Sequence, residues 1–470
     1  MSRYFNWEVG IPIAKWNERN YRAFWILSLI LVPFLIMLAG ASLEPTKLLL
    51  IPLLLVCLSS ILNFEITSGI FIIILFADLW VQDARPAEIF ALFLIISFLV
   101  TFKFSFKETN NKLNYYFLLF ALSCLPSFIN YERAISYLSV VRLFVFFLVY
   151  MVISISNTNF EKIGKIFNIF IMMSVLNGLT VIYFALLTGK RMFGFAGVMY
   201  VDYAGISLTL CLLKILYSGK NKLMWSIAFS IQLLALIFTQ TRNAWISTGI
   251  VLFLVLVQFI FFNKKLRISA IKKYLLSFSI LFIIVFISFQ AGNLNPATYE
   301  RLSSGKPKSD SELKINTFVT RGFIWITAWN AFRDNPFIGV GLYNFSHVSK
   351  RYNTLDPILY KLFVEKVSPH ETFLAILSET GIIGFIGFSF FLMAWLRSAR
   401  NNLKICKTER EFFFARMILW TSIFILISMV MTDFWLQGNG LMLWAVIVGI
   451  TIAFRKIIEN ISAKSLSAEL

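Results

Sequence analysis

The chain reads as an all-α, polytopic membrane bundle of about twelve to fourteen spans, with a large, partly helical external loop ahead of its last three spans. Three observations carry that expectation. Of 470 residues, 59% are hydrophobic and 14% charged, at a mean hydropathy of +0.78, too few charged side chains to clothe a water-soluble globule of this length. Apolar runs of roughly 15 to 24 residues, about what a helix needs to cross the hydrocarbon layer, recur with polar breaks between them. Lysine and arginine gather in alternate breaks, as they do in the cytoplasmic loops of membrane proteins.

Residues 1–23, with Trp7, Trp16, Arg19 and Arg22, form a cytoplasmic or interfacial amino-terminal stretch. No signal-peptide cleavage pattern follows, so the first span is expected to stay in the mature protein. A transmembrane bundle is expected over residues 24–290. Its runs are Phe24–Ala41, Leu48–Leu62, Thr67–Trp80, Ala87–Phe102, Tyr115–Phe128, Ile135–Ile155, Ile166–Gly189, Ala204–Tyr217, Met224–Gln240, Trp245–Phe262 and Tyr274–Gln290. The second and third are short enough to form one re-entrant hairpin instead.

Residues 291–371 follow as one long loop, and connections of that length usually carry function or lack order. Its first part, Leu302 to Leu313, is rich in Ser, Lys and Gly. From Thr320 to Arg333, Phe323, Ile326, Trp329 and Phe332 recur at helical spacing, and Asp334-Asn335-Pro336 stops the helix. The turn-rich Asn335–Gly341 and a short helix within Leu355–Val367 complete a compact cap over the outer surface. Three spans then occupy residues 372–455, at Thr372–Leu396, Phe412–Met431 and Leu441–Phe454. Residues 456–470 make a cytoplasmic tail.

Charge orients the chain. Lys264, Lys265, Arg267, Lys272 and Lys273 fill one loop, and Arg397, Arg400, Lys404, Lys407 and Arg410 another. On the opposite side the short loops hold only Lys47, Arg85, Arg133, Lys190, Arg191 and Arg242, which puts both termini in the cytoplasm. The net charge of +19 follows from this bias and from anionic headgroups, and no basic-aromatic module for nucleic acid is present. Cys57, Cys124, Cys211 and Cys406 lack zinc or CxxC spacing and read as packing residues. No HExxH, paired-carboxylate or GxSxG pattern occurs, so no metal site, cofactor or serine-hydrolase triad is expected.

His370 is one of two histidines. In Ser368-Pro369-His370-Glu371-Thr372, Ser368 suits an N-cap, Pro369 the first helical position and Glu371 the acid of a capping box. That places His370 in the first turn of a span, where the helix dipole favours a neutral imidazole able to accept a proton, while Glu371 pulls the other way. Arg242, in Thr239-Gln240-Thr241-Arg242-Asn243, stands at a short turn that is also a helix N-terminus, a place suited to a phosphate group or to an arginine snorkelling to headgroups. Arg321, at the start of the cap helix, and Arg191, at the end of the seventh run, have the same two readings. Inside the bilayer lie Asp78, Arg142, Glu379 and Arg416, each a site candidate or half of a buried pair. Glu379 and Arg142 are expected to be structural, with Gly381 and Gly384 permitting close contact or a kink. His347 reads as a surface imidazole.

Thr239–Trp245, then Arg321 through Trp325 to Asn335–Gly341, then His370–Gly384 together resemble the O-antigen ligase and polymerase superfamily of bacterial membrane glycosyltransferases. The resemblance runs from about Arg191 to the carboxyl terminus. It implies metal-independent, inverting transfer of a glycan from an undecaprenyl diphosphate carrier to a hydroxyl of a glycolipid or glycan acceptor, at the periplasmic face of the inner membrane. It also implies His370 as general base, and Arg242 and Arg321, with Arg191 as a weaker third, as holders of the diphosphate. Glu371 stands where the family often has Asn, and could support the imidazole or complete the cap. A ligase is expected ahead of a repeat-unit polymerase, because no glycine follows these arginines at the spacing of some polymerases. A glycolipid carrier or flippase is the reading from another class, and would call for inverted repeats or broken helices in corresponding halves, neither of which the sequence shows.

Overall fold

The computed structural model describes residues 63–76, 86–101, 111–130, 136–188, 192–218, 221–262, 317–432, 434 and 438–469. Among them the regular elements are all helical. In chain order they are α1 (Phe64–Ile74), α2 (Pro86–Thr101), α3 (Lys112–Cys124), α4 (Ser136–Ser156), α5 (Phe160–Thr188), α6 (Tyr200–Tyr217), α7 (Lys222–Phe238) and α8 (Arg242–Phe262). Then come α9 (Thr317–Asp334), α10 (Phe345–Val348), α11 (Pro357–Phe363), α12 (Thr372–Ile405), α13 (Glu409–Met431) and α14 (Gly438–Glu469). The expected runs Phe24–Ala41, Leu48–Leu62 and Tyr274–Gln290, the Leu302–Leu313 stretch and Asp78 lie outside the described residues.

Among the described residues, six helices are long and apolar enough to cross a membrane: α5, α6 with the short turn before it, α8, α12, α13 and α14. The apolar parts of α1, α2, α4 and α7 are shorter. This is the polytopic, all-α architecture the composition calls for. Several starts are set by polar side chains that satisfy the open N–H groups of a first turn. Asn63 caps α1, Asn111 caps α3, and Thr408 with Glu411 forms a full capping box on α13.

Burial separates central helices from peripheral ones. In α6 every residue except Ile215 and Tyr217 is buried, because α5, α7, α8 and α13 all pack against it. Gly205 makes the α13 contact possible: a Cβ there would fall 2.2 Å from Phe424 Cζ. A second centre is aromatic. Phe117 of α3, Phe146 of α4, Phe391 and Trp395 of α12 and Trp444 of α14 interlock, with the Phe146 and Trp444 rings 5.0 Å apart and Trp395 and Trp444 5.7 Å apart. Leu179, Tyr183 and Leu187 of α5 and Phe253 of α8 point outward, as apolar side chains do where the surrounding solvent is lipid.

α12 is broken at Gly381, whose backbone is left-handed at φ +64°. An unbroken helix would bond the Ile382 and Ile383 N–H groups to the Ser378 and Glu379 carbonyls. Instead Ile382 and Ile383 donate to the Pro336 and Phe337 carbonyls, while Ser378 and Glu379 accept from the Val340 and Gly341 N–H groups, at 2.8 to 3.3 Å. The Asn335–Gly341 loop has been inserted into the gap, and two lost helical bonds become four. Glycine is required on both sides. A Cβ on Gly339 would lie 2.3 Å from the Glu379 carbonyl carbon, and one on Gly381 2.3 Å from that of Phe337. The buried Glu379 carboxylate closes the joint by accepting from the N–H groups of Tyr343 (2.8 Å) and Phe345 (3.3 Å). Its structural reading holds, and the kink expected at the glycines is this joint. Arg142 lies 5.1 Å from the Tyr343 ring centroid, beside the same loop.

The cap has its own small core, in which Ile324, Ala328 and Ala331 of α9 meet Val340, Phe345, Val348, Tyr360 and Val364. Of the four residues whose spacing marks this helix, Phe323 packs against that core, and the helix itself spans Thr317–Asp334. Steps of three residues lose about 60° each at about 100° per residue, so Phe323 and Phe332 end up on opposite sides of the helix. Ile324, Ala328 and Ala331 stay together, and Ile326 and Trp329 are left about half exposed, at 49% and 53%. Helix α9 does stop at Asp334, as Asn335-Pro336 requires.

Candidate active site at the end of α13

The carboxyl-terminal turn of α13 collects three distant parts of the chain. The last carbonyls of a helix have no partner within it, and here they are taken by side chains. Met431 O accepts Arg321 Nη1 of α9 at 2.9 Å and Asn243 Nδ2 of α8 at 3.1 Å. Thr432 O accepts the Thr372 hydroxyl at 2.9 Å. One turn along α9 from Arg321, Trp325 Nε1 donates to Pro369 O at 3.1 Å. His370 therefore sits between two anchored neighbours, Pro369 held by α9 and Thr372 held by α13.

The break in α12 makes this meeting possible. The 23 residues of α13 rise about 35 Å, and the part of α12 after Gly381 matches that length. A straight α12 would carry Thr372–Thr380 about 13 Å past the end of α13. The bond from Thr372 to Thr432 shows that the segment folds across that end instead.

Helix α12 starts later than the sequence suggests. Its N-cap is Glu371, in extended conformation, with carboxylate oxygens accepting from Phe373 N (2.9 Å) and Leu374 N (2.5 Å). Ser368 and Pro369 are not the cap and first position. His370 consequently precedes the helix rather than standing in its first turn, and its backbone is left-handed at φ +54°. Such a conformation is uncommon outside glycine and costs energy unless neighbours impose it; here the bonds at Pro369, Glu371 and Thr372 do so. Both Glu371 oxygens serve the α12 backbone. Burial pushes this carboxyl up from its ordinary range, against the pull of the two N–H groups that hold it down.

The expected site residues are thus distributed as follows. Arg321 and His370 are brought to one place by the Trp325, Thr372 and α13 contacts. Arg242 is the first residue of α8, next to Asn243, so the backbone that carries it reaches the same place; its side chain lies outside the described residues. Arg191 also lies outside them. His347 is exposed in α10, and Arg416, expected inside the bilayer, rests 4.3 Å from the Tyr217 ring, far along α13 from Met431.

Sequence reasoning missed Asn243, Trp325, Thr372, Ser428 and Asp202. Asp202, only 4% exposed in the first turn of α6, accepts the Ser428 hydroxyl of α13. Ser428 contacts the Thr432 hydroxyl at 3.3 Å, and its carbonyl accepts the Thr432 N–H at 2.8 Å. A signal for Asp202 did exist: an acid two residues ahead of the apolar run Ala204–Tyr217.

Residues 226–389 match the family model described as O-antigen ligase. No curated protein matches the chain. The matched stretch runs from α7 through Arg242, the cap and His370 to beyond the break in α12. The chain is therefore a multi-pass membrane protein whose residues 226–389 are similar to the O-antigen ligase family.

Proposed function

We propose that the protein joins a glycan carried on a polyprenyl diphosphate, undecaprenyl diphosphate by family resemblance, to a hydroxyl of a glycolipid or glycan acceptor, as an O-antigen ligase of the inner membrane acting at its periplasmic face. The acceptor oxygen attacks the anomeric carbon, the bond from that carbon to the diphosphate oxygen breaks, and the acceptor proton passes to His370. A sugar hydroxyl is a weak nucleophile, and a positioned base contributes a factor of about 10² to 10⁴. The departing diphosphate needs positive charge. Arg321 and Arg242 supply it, with Arg191 as a third donor, because guanidinium forks match phosphate oxygens two at a time.

The observation that carries the reading is the common anchorage of Arg321, the start of α8 and the segment around His370 on the last turn of α13. Anchored groups lose little freedom when substrate arrives, which is how positioning lowers a barrier. The test uses purified protein, a lipid-linked glycan and an acceptor, with release of the polyprenyl diphosphate as readout. His370→Ala should abolish release while the protein remains folded in detergent. Release at the wild-type rate would remove His370 from the mechanism. Product length separates the polymerase alternative: a ligase attaches single repeats as well as long chains, and a polymerase only lengthens them.

A further inference from the structure

We propose that Asp202 is a positioning residue of this site, holding the last turn of α13 through Ser428 so that Met431 and Thr432 present their carbonyls to Arg321, Asn243 and Thr372. The proposal rests on the glycosyl-transfer reading above. Asp202 and Ser428 both lie outside residues 226–389, so the family match says nothing of them.

The argument starts from cost. A carboxylate at 4% exposure is expensive unless it is bonded, and a hydroxyl at 1% exposure likewise needs a partner. Each serves the other, since Ser428 Oγ donates to Asp202 Oδ1. The position of Ser428 then matters. It stands three residues before Met431 and four before Thr432, so it is the turn on which the anchoring carbonyls rest. Thr432 returns both its N–H, at 2.8 Å, and its hydroxyl, at 3.0 Å, to the Ser428 carbonyl. Helix ends fray because their final groups lack partners, and here the final turn is fastened from behind by α6. Gly205, one turn along α6 from Asp202, admits Phe424 of α13 and Thr248 of α8, so the bond is backed by a packed contact that survives its removal.

If the link fails, the turn keeps its helix but loses its setting, and Arg321 and the His370 segment shift with it. A misplacement of about 1 Å can cost about 100-fold in rate. Four variants test this with lipid-linked glycan and acceptor: Ser428→Ala, Asp202→Ala, Asp202→Asn and Arg321→Ala. The two that delete the bond should lower kcat about ten-fold or more with little change in KM. Asp202→Asn keeps an oxygen that can accept from Ser428, and should recover most of the rate. Ser428→Ala combined with Arg321→Ala should cost less than the product of the single losses, because part of the Ser428 effect is the placing of Arg321 on Met431 and is void once the guanidinium is gone. A residue that served folding alone would lower the yield of folded protein without the selective fall in kcat or the non-additivity. Wild-type kcat in Ser428→Ala, or full multiplicativity with Arg321→Ala, overturns the proposal. If Asp202→Ala does not fold, Ser428→Ala decides. Failure of the glycosyl-transfer reading looks different, since the wild-type protein would then release no polyprenyl diphosphate.

Discussion

Two regions of this molecule are held together by different physics. Where α3, α4, α12 and α14 meet, Phe117, Phe146, Phe391, Trp395 and Trp444 pack ring against ring. At the end of α13, an amide, a guanidinium and a hydroxyl donate to two backbone carbonyls, and the broken α12 trades backbone bonds with a loop. The aromatic region is tolerant in direction and intolerant in volume. The other is the reverse, since a hydrogen bond fails with a small change of angle while leaving the packing intact. Stability and activity should therefore be separable by mutation, with the bundle core governing the first and the α13 end the second.

The largest effect should come from the aromatic centre. Trp444→Ala removes a fully buried indole that touches four other rings and should cost about 3 to 5 kcal/mol, read as a lower midpoint of thermal unfolding in detergent. Turnover per folded molecule should stay near wild type; a selective fall in kcat instead would erase the distinction between the regions. Arg321→Ala should do the opposite, lowering kcat about 100-fold with a small change in unfolding midpoint. Arg321→Lys should restore little of it, because an ammonium cannot both reach Met431 O and keep a planar fork toward phosphate.

The aromatic region was far more legible in the sequence than the polar one. The run Ile135–Ile155 matches α4 to within a residue and Leu441–Phe454 lies within α14, because a lipid-crossing helix must be apolar along its length. Glu379, Gly381 and the Asn335–Gly341 turn were visible as unusual residues in a span and a loop. That the turn fills the break was not, because backbone-to-backbone exchange has no side-chain signature. The Met431 carbonyl is invisible for the same reason. At His370 the sequence offered two overlapping frames, Ser368-Pro369-His370-Glu371 and one starting at Glu371. The second won because the Glu371 carboxylate reaches two N–H groups at once. The placement expected of His370 changes with that shift, from helix membership to a left-handed backbone fixed on both sides.

Gly381→Ala sharpens the comparison at the joint itself. The new Cβ would meet the Phe337 backbone at 2.3 Å on a left-handed residue, a strain of about 1 to 3 kcal/mol before any displacement of the loop. Amide exchange should quicken at Val340, Gly341, Ile382 and Ile383 and stay slow around Trp444. Equal quickening in both places would mean that the cap and the aromatic centre unfold as one unit.

The smallest effect separates charge from geometry at Glu371. Glu371→Ala removes the cap of α12 and should cost about 1 kcal/mol, together with some activity, because His370 loses one of its fixed neighbours. Glu371→Gln retains an oxygen that can accept from the first turn and should be milder. Its pH dependence gives the finer test. Burial raises the Glu371 carboxyl above its unfolded range, so the stabilising contribution linked to it is complete below the ordinary glutamate pKa and is lost as pH rises through the elevated one. The unfolding midpoint of the wild type should therefore fall relative to Glu371→Gln as pH increases across that interval. A wild-type midpoint that instead rises relative to the glutamine variant would mean that the two N–H bonds outweigh burial and that the cap works as an anion.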